Sequence, residues 1–248
     1  MRVAAIYDIH ANLPALEAVL DDIHEADIDQ VLVGGDVLPG PMPRETLACL
    51  LELDIPVQFI QGNGDRVVRA QMAGIEPIEV PEQFREVIRW NARQLHPEDE
   101  QRLATWPKTL RLQIRDLGEV LFCHATPKND TEIFTRLTPE DRLVPVFEGV
   151  GASVVVCGHT HMQFDRIVEK VRVVNAGSVG MPFQEAGAYW LLLGPDIQLR
   201  RTSYDLEKAA ERIRATEYPQ AQEFAARNVL QPPSEQQMLE AFGRAELK

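Results

Sequence analysis

Val3-Ala4-Ala5-Ile6-Tyr7-Asp8-Ile9-His10-Ala11-Asn12-Leu13-Pro14-Ala15-Leu16 opens the chain, and its reading decides the fold. Val3 to Ile6 is a short apolar run of the kind a buried strand needs. From Leu13 onward, Leu16, Val19 and Leu20 recur at helical spacing, which predicts a helix over about 12–26. Asp8, His10 and Asn12 therefore fall in the turn between a strand and a helix. Two apart in a strand-like turn, Asp8 and His10 point the same way. A carboxylate oxygen and an imidazole nitrogen aimed at one point are half of a divalent-metal site. Alone, the pair could equally be polar residues around a helix cap, so the placement of the other histidines decides.

Outward from this stretch the rhythm repeats. Val31-Leu32-Val33-Gly34-Gly35-Asp36 is a second buried strand that ends on a carboxylate, and a helix is expected over about 44–53. Val57-Gln58-Phe59-Ile60 is a third strand, running into Gly62-Asn63-Gly64-Asp65-Arg66. Residues 67–115 break the alternation. Helical patterns at 84–95 and 98–104 predict a helical insertion beside the strand ends, with no strand of the main sheet. Val120-Leu121-Phe122-Cys123 and Val154-Val155-Val156-Cys157 are two more strands, ending on His124 and on Gly158-His159-Thr160-His161. Thr138-Pro139-Glu140-Asp141 opens a helix. Hairpins join 166–168 to 171–175 and 189–193 to 197–204. A helical tail follows over about 205–248, its last helix capped by Ser234 and Gln237. Helices flanking mixed sheets in one α/β domain of residues 1–248 account for the whole pattern.

Composition narrows the function. The net charge is −13, with 25 Lys and Arg against 38 Asp and Glu. That balance argues against long nucleic acid and anionic membranes, yet allows an anionic substrate held by metal ions. No run approaches the ~20 apolar residues of a membrane span, and no leader pattern precedes the first strand. Three scattered cysteines, Cys49, Cys123 and Cys157, fit a reducing cytoplasm. Nothing in the chain sets an oligomeric state.

Five strands thus end on metal-ligand chemistry: Asp8 and His10, Asp36, Asn63, His124, and His159 with His161. In open α/β sheets, ligands bind outside the carboxyl ends of strands. Only His24 and His96 stand outside the set, as expected surface residues. In this order the motifs resemble those of calcineurin-like metallophosphoesterases over roughly residues 1–204. The opening stretch and Asn175-Ala176-Gly177-Ser178-Val179-Gly180 resemble the smaller bacterial and archaeal branch, phosphodiesterase-like and related to diadenosine tetraphosphatase. The resemblance implies a four-layer αββα sandwich of two mixed sheets and two metal ions. Asp8, His10, Asp36 and His161 would hold one ion; Asp36, Asn63, His124 and His159 would hold the other, with Asp36 bridging. Two dications ~3.5–4 Å apart need a shared anion between them. The mixed ligands suit Mn²⁺ first, and also Fe, Co, Ni or Zn, better than Mg²⁺ or Ca²⁺. A hydroxide bridging the ions would attack phosphorus, so Asp36, Asn63 and His124 act through the metals. The substrate would be a small phosphodiester, phosphoanhydride, phosphomonoester or nucleotide. The rival reading is a non-catalytic scaffold of the same fold that binds partner proteins.

Departures from the family pattern matter. Many members carry a histidine after the motif asparagine as proton donor; here the position is Gly64. Tyr7 stands where serine is common, and Ala176 where proline is common. Arg66 is a candidate phosphate contact or a partner of Asp65. Asn12 is a candidate substrate contact or the helix N-cap. Asn175 and Ser178 are expected to brace the turn beside His161, Cys123 and Cys157 to pack as small hydrophobes, and Phe84 and Trp90 to sit in the core.

Overall fold

The computed structural model describes every residue except 79, 246 and 248. The first half alternates as predicted: β1 (Val3–Ile6), α1 (Leu13–Glu25), β2 (Gln30–Val33), α2 (Pro43–Leu51), β3 (Val57–Phe59) and α3 (Asn63–Met72). Then come α4 (Glu82–Gln94), α5 (Pro97–Thr105), β4 (Thr109–Ile114), β5 (Gly118–Cys123), α6 (Glu140–Phe147) and β6 (Val154–Cys157). Two hairpins follow, β7 (Phe164–Val168) with β8 (Val171–Asn175) and β9 (Ala188–Leu193) with β10 (Ile197–Thr202). The tail holds α7 (Leu206–Arg214), α8 (Ala221–Phe224), a π-helical turn (Ala225–Leu230) and α9 (Glu235–Phe242). Ser234 and Gln237 form the expected capping box.

The strands divide between two five-stranded mixed sheets, β10-β9-β1-β2-β3 and β4-β5-β6-β8-β7. β1 alternates its faces between two cores. Val3, Ala5 and Tyr7 meet Val120, Phe122, Val154, Val156 and Val174 between the sheets. Ala4 and Ile6 face Leu16, Val19 and Leu47 of α1 and α2. On the outer face of the second sheet, Leu121, Val155 and Val173 bury Leu143, Val146 and Phe147 of α6. The result is the four-layer αββα sandwich with helices on both outer faces.

Two expectations need correction. The helices after Asn63 begin at Asn63 itself, and helix ends at Thr105, so 67–115 is not helical throughout. Thr109–Ile114 is a strand, paired antiparallel with β5. Its signal was a period of two: Leu110, Leu112 and Ile114 turn toward the inter-sheet core while Arg111 and Gln113 turn away. The helix expected at Thr138 begins at Glu140, with Pro139 as its cap. Among the described residues no helix is long and apolar enough to cross a membrane.

Candidate metal centre

The carboxyl ends of β1, β2 and β3 and those of β5 and β6 meet at one edge of the two sheets. The loops after β1 and β2 run side by side. Asp8 N, His10 N and Ala11 N donate to the carbonyls of Gly35, Asp36 and Val37 at 3.1, 2.9 and 2.8 Å. The 175–180 turn closes the other flank: Val179 N and Gly180 N donate to Tyr7 O and Asp8 O, both at 3.0 Å. Gly180 is obligatory there, because a Cβ would lie 1.8 Å from Ile9 O. Asp8, His10, Asp36, His159 and His161 all adopt left-handed backbone, with φ of 52, 47, 51, 66 and 57°. Asp and His tolerate this region better than most residues, but each such position stores strain of order 1–3 kcal/mol. That five of the seven predicted ligands share it marks a functional site.

The imidazoles are held by their far nitrogens. His10 Nδ1 donates to Pro39 O at 3.2 Å, His124 Nδ1 to Gly34 O at 3.0 Å and His161 Nδ1 to Met181 O at 2.8 Å. A carbonyl only accepts, so each Nδ1 carries a hydrogen, and in the neutral ring Nε2 presents a lone pair. Those lone pairs face inward. His10 Nε2 lies 3.2 Å from His161 Nε2, and His161 Nε2 lies 3.3 Å from Asp8 Oδ1. Asp36 reaches both sides, with Oδ2 3.8 Å from His10 Nε2 and Oδ1 3.5 Å from His124 Nε2. One corner of the Asn63 amide sits 3.1 Å from His124 Nε2 and 3.0 Å from His159 Nδ1. With nitrogen at that corner Asn63 donates to both rings and to Asp130 O; with oxygen there it stands beside two ring nitrogens as a third potential ligand.

Two ligand groups stand out, Asp8 with His10 and His161, and Asp8 with Asp36 and His124. Asp8 Oδ1 belongs to both, so Asp36 is not alone in reaching both sides. That oxygen is buried and has no hydrogen-bond partner, while Oδ2 accepts from His159 N at 2.8 Å. Burial alone would raise the Asp8 pKa; the imidazoles of His161, His124 and His10 outweigh it and hold the group below the carboxylate range. Burial and then the charge of Asp8 push Asp36 well above that range. His10 and His159 are pushed down to about 3 by burial, then by His161 and by His124 respectively. Two adjacent buried carboxylates cannot both ionise without a counter-charge, and buried charges are stable when paired or bound to metal. The residues present fit divalent cations.

The remaining predicted residues sort themselves. Asn12 is fully buried and engaged at both ends: it caps α1 through Ala15 N (3.3 Å) and donates to Gly180 O (2.9 Å). It is a bracket, and the expected substrate contact is not what its placement provides. Arg66 does not pair with Asp65; its Nε donates to Asp130 Oδ2 at 2.7 Å. Asp65 is instead a buried bracket, accepting from Asp36 N, Gly62 N and Leu38 N at 2.9–3.0 Å. Ser178 donates to Asp8 O, and Asn175 donates to Gly158 O, as expected of braces. Cys123 and Cys157 are buried in the outer core with α6. His24 and His96 are exposed. Tyr7 fills the space left by Gly34 and Gly158 and donates to Val156 O at 3.2 Å, joining the two sheets beneath the centre. Trp90 packs edge-on against Tyr218, whereas Phe84 is 45% exposed and not in the core.

Sequence reading missed Phe183, which stacks on His161 with ring centroids 4.7 Å apart. It also missed two cavities that flank the centre. One, polar and ≈ 230 Å³, is lined by His124, Lys108, Lys128 and Asp130. The other, largely apolar and ≈ 320 Å³, opens beside His10.

Two facing mixed sheets with a shared edge of inward-pointing carboxylates and imidazoles define a divalent-metal protein of the αββα type. Residues 1–194 match the calcineurin-like phosphoesterase superfamily domain, and the chain belongs to that superfamily, whose members use divalent metals. It is 29% identical over 239 residues to the uncharacterised protein MJ0912 of Methanocaldococcus jannaschii, covering 88% of this chain and 94% of the relative. A hypothetical protein from Pyrococcus horikoshii OT3 has the same fold (TM-score 0.80, 22% identity, 90% and 97% of the two chains). So does a metallophosphoesterase from Sphaerobacter thermophilus (TM-score 0.70, 24% identity, 91% and 98%).

Proposed function

We propose that the protein is a phosphoester hydrolase of the phosphodiesterase-like branch, acting with two divalent transition-metal ions, manganese first, on a small phosphate ester or nucleotide in the cytoplasm. Asp8, His10, Asp36 and His161 would hold one ion, and Asp36, Asn63, His124 and His159 the other. Ions bound there would acidify a water molecule and offset charge on the phosphoryl oxygens. The single observation that carries this reading is the His10–His161 pair. Two Nε2 atoms stand 3.2 Å apart with both Nδ1 hydrogens committed to backbone carbonyls, so the space between them suits a proton or a metal ion.

The chain's own groups set the rest. Gly64 N donates to Asp36 Oδ1 at 2.7 Å, leaving Oδ2 for the His10 side. Asp65 is committed to the loops beneath the centre: it is fully buried, and both oxygens accept backbone N–H bonds. With glycine at 64, no side chain there protonates the departing oxygen. Good leaving groups, aryl esters and anhydrides, are therefore the favoured substrates. The acidic surface favours small substrates over long polyanions.

Elemental analysis of the purified protein, with turnover of bis(4-nitrophenyl) phosphate before and after chelation, tests the reading. Two transition-metal ions per chain and loss of turnover on chelation are expected. Activity that survives removal of all metal would overturn it.

A further inference from the structure

The apolar cavity beside His10 joins parts of the chain far apart in sequence. Phe84, Val87 and Ile88 share one face of α4 by their spacing, and Met181, Tyr218 and Phe224 complete the walls. Its ≈ 320 Å³ falls in the range of about 300–1,000 Å³ typical of small-molecule pockets. It is continuous with the metal centre. Pro39 and Met181 both line it, and their carbonyls are the ones that hold His10 Nδ1 and His161 Nδ1. α4 is anchored to this edge: Asn91 Oδ1 accepts from Gly40 N at 3.0 Å, beside Pro39.

Three features say what would enter. Phe84 stands at the cavity with 45% of its surface exposed, an aromatic left open to water. The side-chain amides of Gln220 and Asn228 line the same cavity and hydrogen-bond to no described protein group. Asn228 and Arg227 are presented by the π-helical turn Ala225–Leu230, and such turns concentrate at functional sites. Apolar walls, an open aromatic face and unused amides match a flat ring with a polar edge.

We propose that this cavity is a subsite for an aromatic ring carried on the retained arm of the phosphate ester, the arm that does not leave, so the substrate is an aromatic or nucleoside ester and not a simple alkyl phosphate. The proposal rests on the hydrolase reading above for the position of the phosphate. Phe84 is a specificity-determining residue that stacks on the ring.

The test holds the leaving group constant. 4-Nitrophenyl diesters with a methyl, a phenyl or a thymidin-5′-yl second arm are compared by kcat/KM on the metal-loaded protein. Aromatic arms should exceed methyl by roughly tenfold, the scale of one aromatic face removed from water. Phe84→Ala should bring that ratio toward one, and Phe84→Tyr should keep it. A nucleoside arm ahead of phenyl that loses its lead in Asn228→Ala names a nucleotide source; phenyl equal or ahead names a simple aryl ester. Either outcome supports the subsite. Independently of turnover, saturation-transfer NMR on the chelated protein should show phenol or thymidine bound, with the signal lost in Phe84→Ala. Ring binding without turnover of any ester would sink the hydrolase reading alone. Turnover with equal rates for all arms and no ring signal would sink the subsite alone.

Discussion

Gly64→Ala leaves every candidate ligand in place, so any loss it causes must come through geometry. A Cβ at residue 64 would lie 2.2 Å from Leu38 O, 2.9 Å from Pro39 Cδ and 3.0 Å from Asp36 Oδ1. Ordinary contact begins near 3.4 Å, so the Leu38 carbonyl would have to retreat by more than 1 Å. That loop is tied on both sides. Leu38 N donates to Asp65, and Pro39 O holds His10 Nδ1. Overpacking of this kind costs about 1–3 kcal/mol. In a chain of this size each kcal/mol lowers Tm by about 2–4 °C, so a fall of roughly 3–10 °C is expected in the metal-free protein. Misplacing the carbonyl that orients His10 should also weaken metal binding by about 10–100-fold. Circular-dichroism melts and calorimetric Mn²⁺ titration measure both. A variant that melts within about 1 °C of the native protein and titrates alike would refute the steric argument. By the same geometry, Gly64→His cannot simply seat a proton donor.

Asp36→Asn should lose more metal than His10→Ala or His159→Ala, because Asp36 faces both ligand groups; retention of both ions in Asp36→Asn, measured by elemental analysis, would remove its bridging role. The rate across aryl esters of graded leaving-group pKa should fall steeply, since no side chain at 64 donates a proton; a shallow slope with chemistry rate-limiting would mean another donor exists. For the metal-free protein, His10 and His159 with pKa about 3 stay neutral when folded, while the unfolded chain takes up protons near 6.5. The unfolded state thus binds more protons between about pH 3 and 6.5, and these groups lower stability as pH falls through that window, by up to about 1.4 kcal/mol per pH unit each. Urea unfolding across a pH series checks this; flat stability from pH 6.5 to 4 would contradict it.

The strand ends were legible because apolar runs stopping on Asp, Asn or His carry both the local structure and the ligand chemistry. Which sheet each strand joins was not. β1 and β6 read alike, as short apolar runs, yet lie in different sheets. β4 was hidden by its alternation, since only every second residue faces the core. The left-handed backbone at Asp8 and His161 leaves no trace in residue order, because neither is a glycine. The subsite wall was equally out of reach: Phe84 and Asn228 belong to elements that meet only in the folded chain.

The division between sheets bears on what the centre is for. Asp8, His10, Asp36 and Asn63 come from the first sheet, and His124, His159 and His161 from the second. At the centre itself, carboxylate oxygens of one sheet face imidazole nitrogens of the other: Asp8 Oδ1 lies 3.3 Å from His161 Nε2 and Asp36 Oδ1 3.5 Å from His124 Nε2. Without a proton or a metal ion between them these contacts are unfavourable, and the five left-handed residues add strain; a bound cation would tie the sheets together. Metal binding would therefore add to the fold's stability as well as to its chemistry, by about 2.7 kcal/mol at a hundredfold excess over Kd. A scaffold that only bound partner proteins would have no use for two adjacent buried carboxylates, which cannot both ionise without a counter-charge. Both are kept, together with an open cavity against His10 that a structural clasp does not need. That combination is what the proposed hydrolase would use: ligands for the ions beside a cavity with room for the organic arm of a phosphate ester.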